Sequence, residues 1–450
     1  MKFKTTIILF AIFIALLGFF FFFERLNISK KKEEEKLVSL PKEDIQKIAF
    51  KTDDENIVFE KEKEEWLIKV PLEAKADGYE VNRLAENFCD LKIERVVEKD
   101  AQDLEKYGIP GKEIKLYSKG KEQPLTILIG NENPIDKTFF AKREDETRVV
   151  LIPSYLSSLL DNKVFDFRQK DIFKFETDEV KRIKLRAKEI TWDGEKREDE
   201  WFLTKPVEAL ARKSRIEDIL YSLSNLKAKE FISEKKTDEE LKSYRLQEPE
   251  YEIVLSMPSK NQEVTFLLNK KDEKLYATTS LSTKIISIED YILSDLEKKV
   301  EELREKKVAD FYAWEVNRIY LKKGEIEIDA EKGEGEKWHL KTQQKQELEK
   351  DKLEAFIRKI EGLEAEEFID PPFKLEDYGL VNPQGQIKIG IKEKEKLKEI
   401  VIFLGKEDSE NKKIFVKNER LGYLFLVPSS FLDEFPKTQE EWIVKKEKKD

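Results

Sequence analysis

Three tryptophans, each set in the same short pattern, constrain this 450-residue chain more than any other feature. WLIKVP at 66–71 returns as WFLTKP at 201–206 and, without the proline, as WHLKTQ at 338–343, so the three tryptophans stand at nearly equal separations. A fixed period marks a repeat architecture, and a repeat that goes unnoticed misreads the whole fold. Ile48, Ile183 and Ile319 precede Trp66, Trp201 and Trp338 at closely matching offsets, in the alternating segments QKIAF, KRIKL and NRIYL. Short runs such as NIVFE and EIEID follow. Period-two alternation predicts a strand pair, closed by a third strand at the tryptophan.

Downstream of each tryptophan the apolar period changes to that of a helix. Val81, Leu84, Phe88 and Leu91, then Ile216, Ile219, Leu223 and Leu226, then Leu353, Phe356, Ile360 and Leu363 share a 3, 4, 3 spacing, and every set ends at the same offset from its tryptophan. Such a stripe is one face of a helix that needs a sheet beneath it. Burying four residues of this size stabilises each copy by about 6 to 12 kcal/mol before entropy is subtracted. A turn comes next: Tyr107-Gly-Ile-Pro, Tyr244-Arg-Leu-Gln-Glu-Pro and Tyr378-Gly-Leu-Val-Asn-Pro. Glycine there supplies the positive φ that ends a short helix. Two strand pairs follow, for example EIKLY with LTILIG and TFFAK with RVVLIP, and Pro153 and Pro428 are placed to open a closing helix. Arg168-Gln-Lys and Arg304-Glu-Lys then mark the junctions, Arg168 standing as far ahead of Ile183 as Arg304 does of Ile319.

The fold class expected is therefore α+β, each copy an antiparallel sheet covered by an amphipathic helix. The divisions expected are an anchor and charged collar at 1–36, repeat domains at 37–172, 173–310 and 311–444, and a charged tail at 445–450. Residues 5–23 carry no charge and, as a helix, span about 29 Å, close to the hydrocarbon thickness of a bilayer. The run ends in five phenylalanines and then Glu24 and Arg25, without a small-residue cleavage site, which predicts an uncleaved single-pass anchor in a cell membrane. Bases stand on both sides of it, so charge counting leaves the orientation open; a large following domain is expected outside the cytoplasm.

Composition narrows the function classes. Acids outnumber bases 95 to 85, for a net charge of −10, and Lys and Glu are interleaved, which excludes the basic footprint that nucleic acid requires. A charged fraction of 40% with one Cys, one His and two Met is the bias of proteins from hot environments; a melting temperature of about 50 °C would contradict that source. Cys89 stands alone, so no disulfide forms within the chain and the residue reads as a passive, semi-buried thiol.

Catalytic equipment is hard to find. His339 is the sole histidine and has no cysteine nearby, which removes the usual zinc sites and reads as a strand-edge residue. Neither a G-x-S-x-G elbow nor a Walker loop occurs, and Gly333-Glu-Gly335 reads as a hairpin loop. Paired carboxylates, such as Asp53 with Asp54 or Asp370 with Asp377, remain formally able to support glycosidase-like chemistry, yet with 95 acids such pairs arise by accident. Trp66, Trp201, Trp338, Tyr107, Tyr244 and Tyr378 are expected to be core anchors of the repeat rather than sugar- or peptide-stacking platforms. No catalytic, cofactor-binding or metal residue is assigned.

In this order, the apolar leader, W-x-[IL]-x-x-P, amphipathic helix, Y-G-[IL]-x-x-P, [IL]-x-[IL]-G and R-x-K junction resemble the bacterial family called domain of unknown function 4340. The resemblance covers nearly everything after the leader. It implies a membrane-anchored extracytoplasmic protein, of a kind often encoded near ABC-transporter components, with no family catalytic residues to carry over. The chain departs from the pattern at Gln343 (for proline), Arg245 (for glycine) and Asn269, where the other copies have Gly130 and Gly405. A non-catalytic envelope protein that binds or scaffolds partners, such as ABC-transporter subunits, is the expected function. An extracytoplasmic glycan- or peptide-binding protein and a carboxylate-dependent hydrolase are the alternatives.

Overall fold

The computed structural model describes residue 19 and residues 35–52, 54–342, 346–393 and 396–445. The anchor expected at 5–23, apart from Phe19, lies outside them, as do Asp53, Gln343 and the last five residues of the tail. Among the described residues no helix is long and apolar enough to cross a membrane. The chain divides into two compact units, 1–170 and 171–450.

The first unit holds one sheet. Its strands are β1 (Ile45–Lys51), β2 (Asn56–Glu62), β3 (Glu65–Val70), β4 (Ala74–Lys75), β5 (Arg95–Glu98), β6 (Lys112–Ser118), β7 (Leu125–Glu132), β8 (Phe139–Arg143) and β9 (Val149–Ile152), in the order β4-β3-β2-β1-β6-β7-β8-β9-β5. The second unit holds two more. β10 (Arg182–Ala187), β11 (Ile190–Arg197), β12 (Glu200–Lys205), β13 (Ala209–Leu210), β14 (Glu230–Ser233), β15 (Tyr251–Met257), β16 (Gln262–Lys271), β17 (Lys274–Thr279) and β18 (Ile285–Ile288) repeat that order. β19 (Val316–Lys323), β20 (Ile326–Lys332), β21 (Trp338–Leu340), β22 (Glu367–Ile369), β23 (Gly385–Glu393), β24 (Lys396–Asp408), β25 (Lys413–Asn418) and β26 (Leu424–Pro428) do the same without the short fourth strand. Neighbouring strands pair antiparallel throughout.

One helix lies on each sheet: α1 (Gly78–Cys89), α2 (Lys213–Ser224) and α3 (Lys350–Glu361). In the first two copies the helix joins strands at opposite edges of its sheet, β4 to β5 and β13 to β14, so it has to cross the face. The stripe residues read from the sequence are the ones buried, from Val81 and Leu84 at 0% exposure to Leu363 at 7%. The last of each set, Leu91, Leu226 and Leu363, falls just past the helix end, where the backbone turns back toward the sheet. Asp77 caps α1 by accepting from the amides of Tyr79 and Glu80; α2 and α3 have no side-chain cap, so packing holds their first turns. Pro153 and Pro428 stand one residue ahead of their closing helices, which begin as 3-10 turns at Ser154–Leu156 and Ser429–Glu434. The fixed φ of proline thus sets the cap rather than the first turn.

How the copies begin and end is as regular as their interiors. In the first copy Leu37 donates to Leu91 and Ile93 to Glu35, while Asp77 donates to Phe167 and Gln169 to Lys75, so incoming and outgoing segments both pair with the sheet margins. In the second unit a single short segment, 303–308, which leaves a helix at Leu303, serves two sheets. Its first half pairs with the margin of the second copy, Arg212 donating to Leu303 and Glu305 to Leu210; its second half pairs with the third copy, Val308 donating to Leu363 and Ala365 to Lys306. Ala209 and Leu210 of the second copy accordingly sit in the apolar cluster of the third, with Phe202 and Val207 packed against it. At the matching margin of the third copy, His339 and Glu347 take the paired positions that Phe202 and Leu210 hold in the second. That margin is polar where its counterpart is apolar, as in terminal repeats of stacked arrays.

Candidate functional site

The six residues singled out from the sequence have structural surroundings. Trp66, Trp201 and Trp338 occupy the same strand of their sheets and are 5%, 1% and 0% exposed, each in the apolar cluster beneath its helix. Trp66 donates its indole N–H to Asn82 of α1 at 2.9 Å, fixing helix to strand. Tyr107, Tyr244 and Tyr378 are half-buried and each meets one ring of the neighbouring strand: Phe140 at 4.9 Å, Tyr276 at 4.6 Å and Phe415 at 4.8 Å. These contacts recur because the turn recurs.

Glycine at the turn is required by backbone geometry in two copies. Gly108 and Gly379 both have φ of 67°, and Arg245 adopts the same left-handed conformation at φ 57° in the second copy. A Cβ on Gly130 would lie 2.1 Å from the carbonyl oxygen of Tyr107, and one on Gly405 would lie 2.3 Å from that of Tyr378. The turn therefore rests directly on the strand. In the second copy Asn269 takes this position, buried at 1%, and its Oδ1 accepts from the amide of Glu250. Here the turn is preceded by a helix, Asp238–Ser243, instead of a 3-10 turn, and Thr237 and Glu240 cap it reciprocally. The glycines serve backbone packing, and the departures at Arg245 and Asn269 go with a differently built turn.

Arg304, read from the sequence as a junction residue, and Asp370, read as one of an accidental carboxylate pair, meet at the joint between the second and third copies. The Arg304 guanidinium is 3% exposed; Nη1 and Nη2 donate to the two oxygens of Asp370 at 2.9 and 2.8 Å. It lies 3.9 Å from the centre of the Phe368 ring and 4.6 Å from that of Tyr423, two rings that meet edge to face. Burial pushes the Tyr423 phenol up to about 12, so it remains protonated beside the cation at neutral pH. Nearby, Asn418 donates to the carbonyl of Val308 at 2.8 Å and accepts from the amide of Arg420, which in turn grips Glu200 with both terminal nitrogens at 2.6 and 3.0 Å. Arg420 holds the Glu200 carboxyl below the usual carboxylate range. A cavity of about 230 Å³ opens between these groups, lined among others by Glu200, Asp310, Ile400, Val401, Asn418 and Arg420. Just along the chain from Asp310, Tyr312 and Trp314 stack at 4.3 Å and 16° while remaining 52% and 69% exposed.

The charge, amide and ring groups of the joint meet one another, although Nε of Arg304 is buried without a hydrogen-bond partner, and among the described residues no group of three or more His, Cys, Asp or Glu side chains is placed to hold a metal ion. Asp370, one of the accidental carboxylates of the sequence, is committed to Arg304. His339 is a half-buried strand residue bridged to Glu347. Gly333 and Gly335 lie in the turn between β20 and β21, Gly335 at φ 70°. Cys89 is 2% exposed, and burial pushes its thiol up to about 11.

A family model described as a domain of unknown function, DUF4340, matches twice, over residues 66–201 and 201–376. The chain belongs to that family. Each DUF4340 match starts at the tryptophan strand of one copy and runs past its helix and later strands into the next copy, so the family unit is out of phase with the sheets. No curated protein matches this DUF4340 chain. Among solved structures, a DNA polymerase sliding clamp from Pseudomonas aeruginosa with ligand is similar at 8% identity, covering 87% of this chain and 93% of that one with a TM-score of 0.16. The DNA polymerase III subunit beta from Pseudomonas aeruginosa is similar at 9% identity, 87% and 94% coverage and a TM-score of 0.17. Likeness at that level carries no argument.

Proposed function

We propose that this protein is a non-catalytic scaffold of the cell envelope, held to the membrane by residues 5–23, with its tandem sheets outside the cytoplasm and offered to partner proteins. The family resemblance adds the class of partner: subunits of an ABC-type transporter. The observation that carries the reading is the exposed Tyr312–Trp314 stack beside the second joint. Large aromatics are enriched at the centres of protein interfaces, and two rings already ordered against each other lose little freedom when a partner covers them. The shared stretch 303–308 and the Arg304 clamp support the same reading, because they fix two sheets as one platform.

A photo-crosslinking phenylalanine analogue placed at position 314 of the full chain in intact membranes tests this. The expected product is a small set of discrete adducts that include transporter subunits and that fade when Tyr312 is replaced by alanine. Adducts with bulk membrane proteins alone would overturn the transporter assignment. A chain released from washed membranes by salt would overturn the anchor.

A further inference from the structure

One corner of the sheet is filled by a charged contact in the first two copies and differently in the third. It lies where the turn after the first strand meets the start of the strand paired beside it. In the first copy β6 opens with Lys112, whose Nζ is 2.9 Å from Asp161. In the second, β15 opens with Tyr251, 0% exposed, whose hydroxyl donates to Glu297; Lys188 reaches the same carboxylate at 2.7 Å and sits 5.5 Å from the centre of the Tyr251 ring. The register places Ala187 opposite Tyr251 and Lys323 opposite Gly385, so Gly385 stands where Tyr251 does and Gly324 where Lys188 does. Backbone conformation agrees, with φ of 53° at Lys188 and 58° at Gly324. Counted from the closing strand, the place of Asp161 and Glu297 falls on the uncharged Pro436, and the nearby Glu434 pairs with Lys359. A Cβ on Gly324 would meet nothing within 4 Å, whereas one on Gly385 would strike Leu404 at 2.9 Å, so Leu404 takes part of the room, and Lys323, opposite Gly385, reaches across that corner to donate to the carbonyl of Leu432 at 2.7 Å.

A groove of about 670 Å³ runs past these strand ends, its lining including Asn382, Gln384 and Ile326 and, on the face opposite the one Gly385 leaves, Lys322, Gln386 and Phe403. None of its ten lining residues is acidic, in a chain where acids outnumber bases. Glu327 faces Lys322 across the ladder but accepts from the Tyr320 hydroxyl at 3.2 Å, and Lys322 makes no ion pair among the described residues. Gln384 donates its amide to the carbonyl of Gly405, while Lys322, Gln386 and Phe403 stand side by side across three strands. We propose that this groove binds an acidic oligosaccharide: a uronate carboxylate on Lys322, ring hydroxyls on Asn382 and Gln386, and the apolar face of a sugar on Phe403. An ammonium, a row of amides and an aromatic ring match the carboxylate, vicinal hydroxyls and C–H face that such a sugar presents together. An acidic peptide fits less well, because β19, β23 and β24 are paired on both sides and leave no strand edge for it to extend.

Calorimetric titration of the full chain in detergent with trigalacturonate tests the assignment, with maltotriose and hexaglutamate as the neutral and peptide comparisons. Saturable binding of trigalacturonate is expected, weakened about tenfold or more by Lys322→Glu. The isosteric Gln386→Glu, which places a carboxylate opposite Lys322, should weaken it similarly without disturbing the fold. Arg186→Glu, the matching site of the second copy, should leave binding unchanged. Absence of saturation, an affinity left unchanged by Lys322→Glu and Gln386→Glu, or equal binding of maltotriose or hexaglutamate would each overturn the proposal. The outcome does not depend on whether the chain is a membrane scaffold.

Discussion

Removing the Arg304 guanidinium separates what burial contributes to the joint from what charge alone contributes. Arg304→Ala leaves Asp370 without its bidentate partner and removes a cation that lies against the rings of Phe368 and Tyr423. Breaking a buried ion pair from one side costs about 3 to 5 kcal/mol, and loss of a desolvated cation–π contact about 2 more. Asp370 is 30% exposed, so water recovers part of this once the arginine is gone, and a net cost of about 3 kcal/mol follows. Arg420→Ala is the comparison: its bidentate partner Glu200 is equally close, but the two side chains are 50% and 38% exposed, and a cost of about 1 kcal/mol or less is expected. Hydrogen exchange read by mass spectrometry at the amides of Arg212, Glu305, Val308 and Ala365 reports opening of the joint directly. Arg304→Ala should lower their protection on the order of a hundredfold, and more than that of the Ile402 amide inside the third sheet. Equal protection in Arg304→Ala and Arg420→Ala would refute the argument from burial.

Gly405→Ala, whose Cβ would press on the Tyr378 carbonyl, should destabilise the third copy by about 2 kcal/mol or more in chemical denaturation, whereas Asn269→Ala should cost less because only a side-chain contact is lost. Cys89, with its thiol raised to about 11, should resist a thiol-exchange reagent at pH 8 in the native protein and react fully once denaturant is added; rapid native reaction would contradict its burial. Glu297, held below the usual carboxylate range by Lys188 and then Tyr251, contributes stability above its unfolded value of about 4.3 and loses it as pH falls through the depressed folded value. Glu297→Gln should therefore melt earlier than the parent at pH 7, with the gap closing below about pH 4. A fragment of residues 173–310 should fold cooperatively yet melt below one of residues 171–450, since Leu210, Phe202 and Val207 lose their cover; identical midpoints would mean that the joint adds nothing.

Local pattern carried most of the fold. The three helix stripes, the tryptophan strands and the left-handed glycines at 108 and 379 were legible because neighbours in sequence are neighbours in the element. The marginal strands β4 and β13 were not, being too short to show any period. Nor was the bridging segment 303–308, whose pairing partners lie far off along the chain, in front of it and behind it. Arg304 was visible as a repeated junction residue, but its meaning needed Asp370, 66 residues on and one of 95 acids. The helix Asp238–Ser243 had a readable signal in the spacing of Thr237 and Glu240, at a place where the other copies form only a turn. The groove of the third copy came from comparing copies in register, because two glycines in isolation say nothing about the side chains they replace.

Sharing one bridging segment between two sheets has a mechanical consequence. The covalent path from the second copy to the third contains no free hinge: pulling the two apart loads short ladders in shear on both halves of 303–308, while bending them would have to break Arg304 away from Asp370. Any partner that touches both copies at once therefore meets a fixed distance and a fixed angle, and can read that geometry as a ruler.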